Sequence, residues 1–178
     1  MKKLIFFIFI ISIFCFSQFT FAQDGPGTPG QYFGGVSGVF TFPTGDFGNI
    51  AGGGFGGTFQ LGRWVMPNAN LIAMGGINWF GSKTYLATKF DVRAIPLLFG
   101  GQYFFSNMFF AQGQLGITFL NTKTEILGST VSQTDSEFTI ALGAGLLTGA
   151  WQVSAFYNII SDANYFGTGI AFFFPIAD

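Results

Sequence analysis

Beyond its first two dozen residues, the chain confines nearly all of its charged side chains to four short segments and its two ends. The charges are Asp24, Asp46, Lys83, Lys89, Asp91, Arg93, Lys123, Glu125, Asp135, Glu137, Asp162 and Asp178; only Arg63 falls inside a tract that reads as regular structure. A water-soluble domain spreads about a quarter of its residues as charge over the elements it exposes. Here charge is 8% of the chain, and the tracts between the charged segments are rich in Phe and Gly. They alternate with period two, the pattern of strands that face lipid on one side and a filled or wet lumen on the other.

The alternation is clearest where Phe138, Ile140, Leu142, Ala144 and Leu146 share one face and Thr139, Ala141, Gly143, Gly145 and Leu147 the other. It recurs over 109–119 and 151–160. With the noisier tracts at 31–42, 55–65, 71–80, 93–105 and 166–174 it predicts about eight strands, most with the nine to eleven residues a tilted strand needs to cross the hydrocarbon layer. The expected fold class is all-β, an eight-stranded antiparallel up-and-down transmembrane β-barrel. Connection lengths support it, because short turns at 66–70, 106–108 and 148–150 alternate with longer links at 43–53, 81–91, 121–137 and 161–165. Such barrels carry short periplasmic turns and longer outer loops. The charges fall in the longer set.

Residues 1–22 read as a cleaved signal peptide, leaving 23–178 as one barrel domain. Lys2 and Lys3 precede an apolar stretch, and Thr20-Phe21-Ala22 offers a small-residue cleavage site before Gln23. The competing reading is an uncleaved anchor, since the apolar run approaches the roughly 20 residues of a spanning helix. The only cysteine, Cys15, lies inside this segment, so no disulfide is expected in the mature chain.

Composition also limits chemistry. The chain has no His, the commonest general base and metal ligand. Asp135, Glu137, Lys123 and Glu125 lie in a Ser/Thr-rich stretch without apolar surroundings to shift a pKa. No catalytic, cofactor-binding or metal-binding residues are therefore expected, and a net charge of -1 gives no basic face for nucleic acid. The Gly-rich run from Ala51 to Gly57 lacks the Lys-Ser/Thr that a phosphate loop requires.

Aromatic placement separates a membrane barrel from a soluble one. Trp64, Trp79 and Trp151 fall at predicted strand ends, with Tyr32, Tyr103, Phe105 and Phe166 near others, as in two headgroup-level girdles. Parity puts Trp64 on the inward face, against that pattern. A soluble barrel would have to house Phe59, Leu97, Phe99, Leu115, Ile140 and Phe172 in an interior far larger than eight strands enclose.

The signal segment, the turn Phe42-Pro43-Thr44-Gly45-Asp46-Phe47-Gly48 and the aromatic last strand together resemble small outer-membrane β-barrel proteins of OmpA/OmpX type, in the porin-like outer membrane protein beta-barrel domain group. The resemblance covers essentially the whole mature chain. It implies an outer-membrane location in a Gram-negative-type cell, with membrane lipid and the barrel assembly machinery as partners. Gly169, Phe172 and Phe174 match the spacing of that family's C-terminal assembly signal, although Pro175-Ile176-Ala177-Asp178 follow where many members stop.

The predicted lumen row is Thr58, Gln60, Asn78, Gln102, Gln112, Gln114, Thr118, Thr139, Gln152, Ser154 and Asn158, which is polar and uncharged. An ion-selective pore or a salt-bridged plug would carry charge there. The leading expectation is a non-enzymatic protein with an envelope or surface-interaction role through its outer loops, especially 121–137, and with no extracellular partner defined. The alternatives are a narrow channel for small solutes, a soluble ligand-binding barrel and a membrane-embedded hydrolase or acyltransferase.

Overall fold

The computed structural model describes residues 26–85, 88–126 and 129–176, so the predicted signal peptide lies outside the described residues. The strands are β1 Tyr32–Pro43, β2 Ala51–Met66, β3 Ala69–Tyr85, β4 Thr88–Phe104, β5 Phe109–Ile126, β6 Ser129–Thr148, β7 Trp151–Ile160 and β8 Tyr165–Ile176; a single helical turn, α1 Phe47–Ile50, links β1 to β2. They pair antiparallel in chain order and β8 closes on β1, giving the eight-stranded up-and-down barrel that the period-two pattern predicts.

Each strand has two faces, as the alternation requires. On β7, Trp151, Val153, Tyr157 and Ile159 are exposed while Gln152, Asn158 and Ile160 are buried. On β4, Leu97 and Phe99 point out while Leu98 and Gln102 point in. The apolar outward rows suit the hydrocarbon layer, where every backbone group must be paired and a closed sheet meets that demand. Arg63 ends this belt near the terminal rim, where β1 begins and β8 ends, its guanidinium 5.1 Å from the centre of the Tyr32 ring.

Phe and Gly are equally abundant, at 27 each, and the lumen shows one reason. A Cβ on Gly62 would lie 2.2 Å from Phe33, one on Gly145 2.6 Å from Phe110, one on Gly35 2.5 Å from Phe173 and one on Gly167 2.3 Å from Phe156. Rings inside so narrow a barrel lie against backbone that carries no side chain.

Three expectations are corrected. The link predicted over 121–137 is largely strand: β5 and β6 pair from Asn121↔Thr134 up to Ile126↔Ser129. Thr122, Thr124, Thr130, Val131 and Thr134 favour extended backbone, and the alternation vanishes because both faces meet water. The same holds over much of 81–91, where Lys83 pairs with Phe90 and Thr84 with Lys89. Trp79, although outward, lies within β3, which continues to Tyr85, and not at a strand end; Trp64 is buried in the lumen, the inward placement its parity predicts.

The wall is consequently uneven. β3 to β6 span 17, 17, 18 and 20 residues, whereas β7 and β8 span 10 and 12. β7 meets β6 only from Thr139↔Ile160 onward, so among the described residues the β6 edge above Thr139 pairs with β5 alone.

Candidate functional site

Two features stand apart from the generic wall: the closed lumen and the raised β5–β6 hairpin. The lumen is layered along its axis. At the terminal rim, Phe33, Trp64, Ile72, Phe104 and Phe110 form an apolar cluster, with Phe173 and Leu147 packed against it. Phe33 meets Phe173 edge to face at 5.4 Å, and Trp64 lies 5.3 Å from Phe104, which lies 5.2 Å from Phe110. These rings border a vestibule of about 290 Å³ whose inner lining includes Asn70, Gln102 and Gln152.

Those amides form a crossbar. Asn70 Nδ2 donates to Gln102 Oε1 at 3.0 Å, and Gln102 Nε2 donates to Gln152 Oε1 at 3.1 Å and to Gln112 Oε1 at 3.2 Å. Side chains from β3, β4, β5 and β7 are thereby tied across the lumen. An amide offers both donor and acceptor, so it can brace a low-dielectric interior without a charge.

Beyond the crossbar lies a small polar chamber, lined among others by Gln60, Asn78, Gln114, Ser154 and Asn158. Asn78 Nδ2 donates to Tyr165 Oη at 3.3 Å. Hydroxyl pairs stitch neighbouring strands, Ser37 with Thr58 and Thr139 donating to Thr118 at 2.7 Å. Toward the far rim, Phe47, Ala51, Phe80, Val92, Ala94, Ile160, Ala163 and Tyr165 make a second apolar cluster. Phe47 meets Phe80 at 5.0 Å and Phe80 meets Tyr165 at 5.3 Å, both edge to face.

The predicted lumen residues are placed as follows. Thr58, Gln60, Asn78, Gln102, Gln114, Thr118, Thr139, Gln152 and Asn158 are buried, while Gln112 and Ser154 are half-buried. Gly169 is buried on the inner face of β8, with Phe172 and Phe174 on its outer face. Residue-by-residue reading omitted Asn70, Ser37 and Tyr165, and it did not recognise the rings that close the ends. Their signal was parity: Asn70 falls in step with Asn78, Phe104 with Gln102 and Phe110 with Gln112. No Asp, Glu, Lys or Arg is buried among the described residues, and none of their acidic groups cluster as a metal site.

The hairpin carries the charge. Where β4 flanks it, Lys89 of β4 stands opposite Glu125 of β5 and Asp91 of β4 opposite Lys123 of β5, cross-strand pairs of opposite sign. On β6, Gln133 Nε2 donates to both carboxylate oxygens of Asp135 at 3.0 Å, and Asn121 Nδ2 donates to Thr134 Oγ1 at 2.9 Å. Val131 is exposed at the tip.

No protein-family model matches the chain, and no curated protein matches it in sequence. Solved structures do. Ail, the attachment invasion locus protein of Yersinia pestis, superposes with a TM-score of 0.65 at 12% identity, over 83% of this chain and 100% of that one. Ail has also been solved with the heparin analogue sucrose octasulfate. The N-terminal β-barrel domain of Pseudomonas aeruginosa OprF gives 0.57 at 12% identity over 82% and 99%, and OprG of the same organism gives 0.53 at 13% identity over 85% and 99%. At such identities the likeness is one of architecture, and the chain has the fold of the small eight-stranded outer-membrane β-barrels of OmpA/OmpX type.

Proposed function

We propose that the chain is a non-enzymatic, non-conducting integral protein of the outer membrane that acts at the cell surface through its raised β5–β6 hairpin. The observation that carries this reading is the β6 edge above Thr139, which has strand geometry and, among the described residues, no partner on its β7 side. Such an edge presents backbone N–H and C=O groups that an extended segment of another chain can pair with. The terminal rim, with its short turns, faces the periplasm; the charged rim faces outward. Outward rows such as Val36, Phe40, Leu97, Phe99, Ile170 and Phe172 hold the barrel in lipid. Gly169, Phe172 and Phe174 on β8 serve recognition by the assembly machinery.

The lumen supports the absence of conduction and catalysis. The crossbar closes one end and apolar packing the other, and neither offers a charged or strongly nucleophilic group. The raised sheet balances Lys83, Lys89, Arg93 and Lys123 against Asp91, Glu125, Asp135 and Glu137, so it gives no electrostatic preference for a polyanion. The partner is read by backbone pairing, with charge tuning its register.

The test introduces Ser132→Cys, at an exposed hairpin position, into a Cys15→Ala background. A membrane-impermeant maleimide should label intact cells at this cysteine. Labelling only after the outer membrane is permeabilised overturns the orientation. Planar-bilayer recordings of the refolded barrel should show no conductance steps; reproducible steps favour the narrow-channel alternative.

A further inference from the structure

The amide crossbar leaves one acceptor over. Gln102 Oε1 accepts from Asn70, and Gln112 Oε1 and Gln152 Oε1 each accept from Gln102, but Asn70 Oδ1 is buried with no hydrogen-bond partner among the described residues. Asn70 is 2% exposed and lines the inner end of the terminal vestibule, whose volume is about 290 Å³. A buried acceptor without a donor is costly, and a ligand that brings the donor removes that cost. We propose that the vestibule is a binding site for an uncharged aromatic molecule of one or two fused rings carrying a single N–H or O–H donor. The molecule enters from the side that the terminal rim faces, independently of whatever the hairpin binds at the opposite rim.

Size and chemistry together select the occupant. The volume lies near the lower end of the roughly 300–1,000 Å³ of small-molecule pockets, which suits a compact ligand. No Asp, Glu, Lys or Arg lines it, so a charged molecule would lose its hydration with no opposite charge to replace it. Phe33 meets Phe173 at 83° and Trp64 meets Phe104 at 44°, so an entering ring finds both edges and faces to pack on. The walls are fixed before a ligand arrives. Gly30 N–H bonds Trp64 C=O at 2.7 Å, Trp64 N–H bonds Gln31 C=O at 3.0 Å and Phe173 N–H bonds Ala150 C=O at 2.8 Å. The backbone of Gly27 lies against the Trp64 indole, where any Cβ would collide, and the adjoining Pro26 completes the lining. A site formed in advance loses less ordering entropy on binding. The crossbar closes its floor, so the molecule is held and not passed on.

Indole and 1-methylindole, titrated in turn into the intact folded protein in detergent micelles, test this directly, because they match in rings and differ in the donor. Residue-resolved NMR separates binding from partition into detergent: Trp64 lies in the vestibule, whereas Trp79 and Trp151 lie on the lipid-facing wall. Indole should shift the Trp64 indole N–H and the Asn70 side-chain amide along a saturating curve, with no saturating shift at Trp79 or Trp151. The methylated probe should bind about tenfold more weakly, the loss of one hydrogen bond to a buried acceptor. Absence of a saturating response at Trp64 in the folded protein overturns the proposal, as does an equal response at all three tryptophans. Equal affinity for the two probes also overturns it, by showing that Asn70 Oδ1 selects nothing.

Discussion

The two ends of the lumen are closed by different means. The terminal end uses side chains rooted in strands: Trp64 on β2, Ile72 on β3, Phe104 on β4 and Phe110 on β5, backed by the amide crossbar. The far end borrows Phe47 from α1, a single turn outside the ring. That turn rests on few supports. Gly45 takes φ 60° to start it, Gly48 N–H bonds Gly45 C=O at 3.1 Å, Thr44 N–H bonds Asn164 C=O at 2.9 Å, and Lys83 Nζ donates to Gly48 C=O. A closure built into the wall shares the stability of the whole sheet, whereas one carried on a loop can open locally.

The largest expected effect lies at the crossbar. Gln102→Leu removes three hydrogen bonds and leaves Asn70, Gln112 and Gln152 short of partners. It should cost about 3 kcal/mol, given roughly 1–3 kcal/mol per buried polar group stranded and some relief from vestibule water. Guanidinium unfolding in micelles, followed by tryptophan fluorescence, measures it. Phe47→Ala should cost less, about 2 kcal/mol, because a loop relaxes around the lost ring more readily than a strand does. Its signature is faster amide exchange over 44–50 with the strand amides unchanged. If Phe47→Ala proved as damaging as Gln102→Leu and loosened the strands too, the distinction between wall-borne and loop-borne closure would fail. Gly62→Ala sharpens the terminal side: the three heavy atoms nearest the added methyl all belong to the Phe33 ring, and the change should cost about 1 kcal/mol, the lower end of overpacking penalties. An equal midpoint in thermal unfolding would show that the ring moves aside freely.

How much of this was legible in the sequence depends on what each residue had to satisfy. In β7 the outward face needs lipid and the inward face needs partners, so Val153 and Asn158 differ in kind and the alternation can be read directly. The hairpin above Asn121 meets water on both faces, so the contrast vanished and the segment resembled a loop, although its threonines already favoured extended backbone. In the lumen, parity located Gln102 and Gln152. It could not show that they hydrogen-bond to each other, because β4 and β7 meet only through closure of the ring. Phe47 was hidden for a third reason: it sits in a turn, where no periodicity says which way a ring points.

The rings that lie on inward glycines carry one more consequence. Gly62 and Phe33, or Gly35 and Phe173, occupy one volume between them, so neither position can be judged alone. A methyl added at Gly62 is unfavourable against Phe33 yet can be accommodated against a smaller side chain there. Each pair should behave as a single heritable unit, with substitutions harmful separately and compensating together. In that sense the interior of this barrel is written in two-residue words.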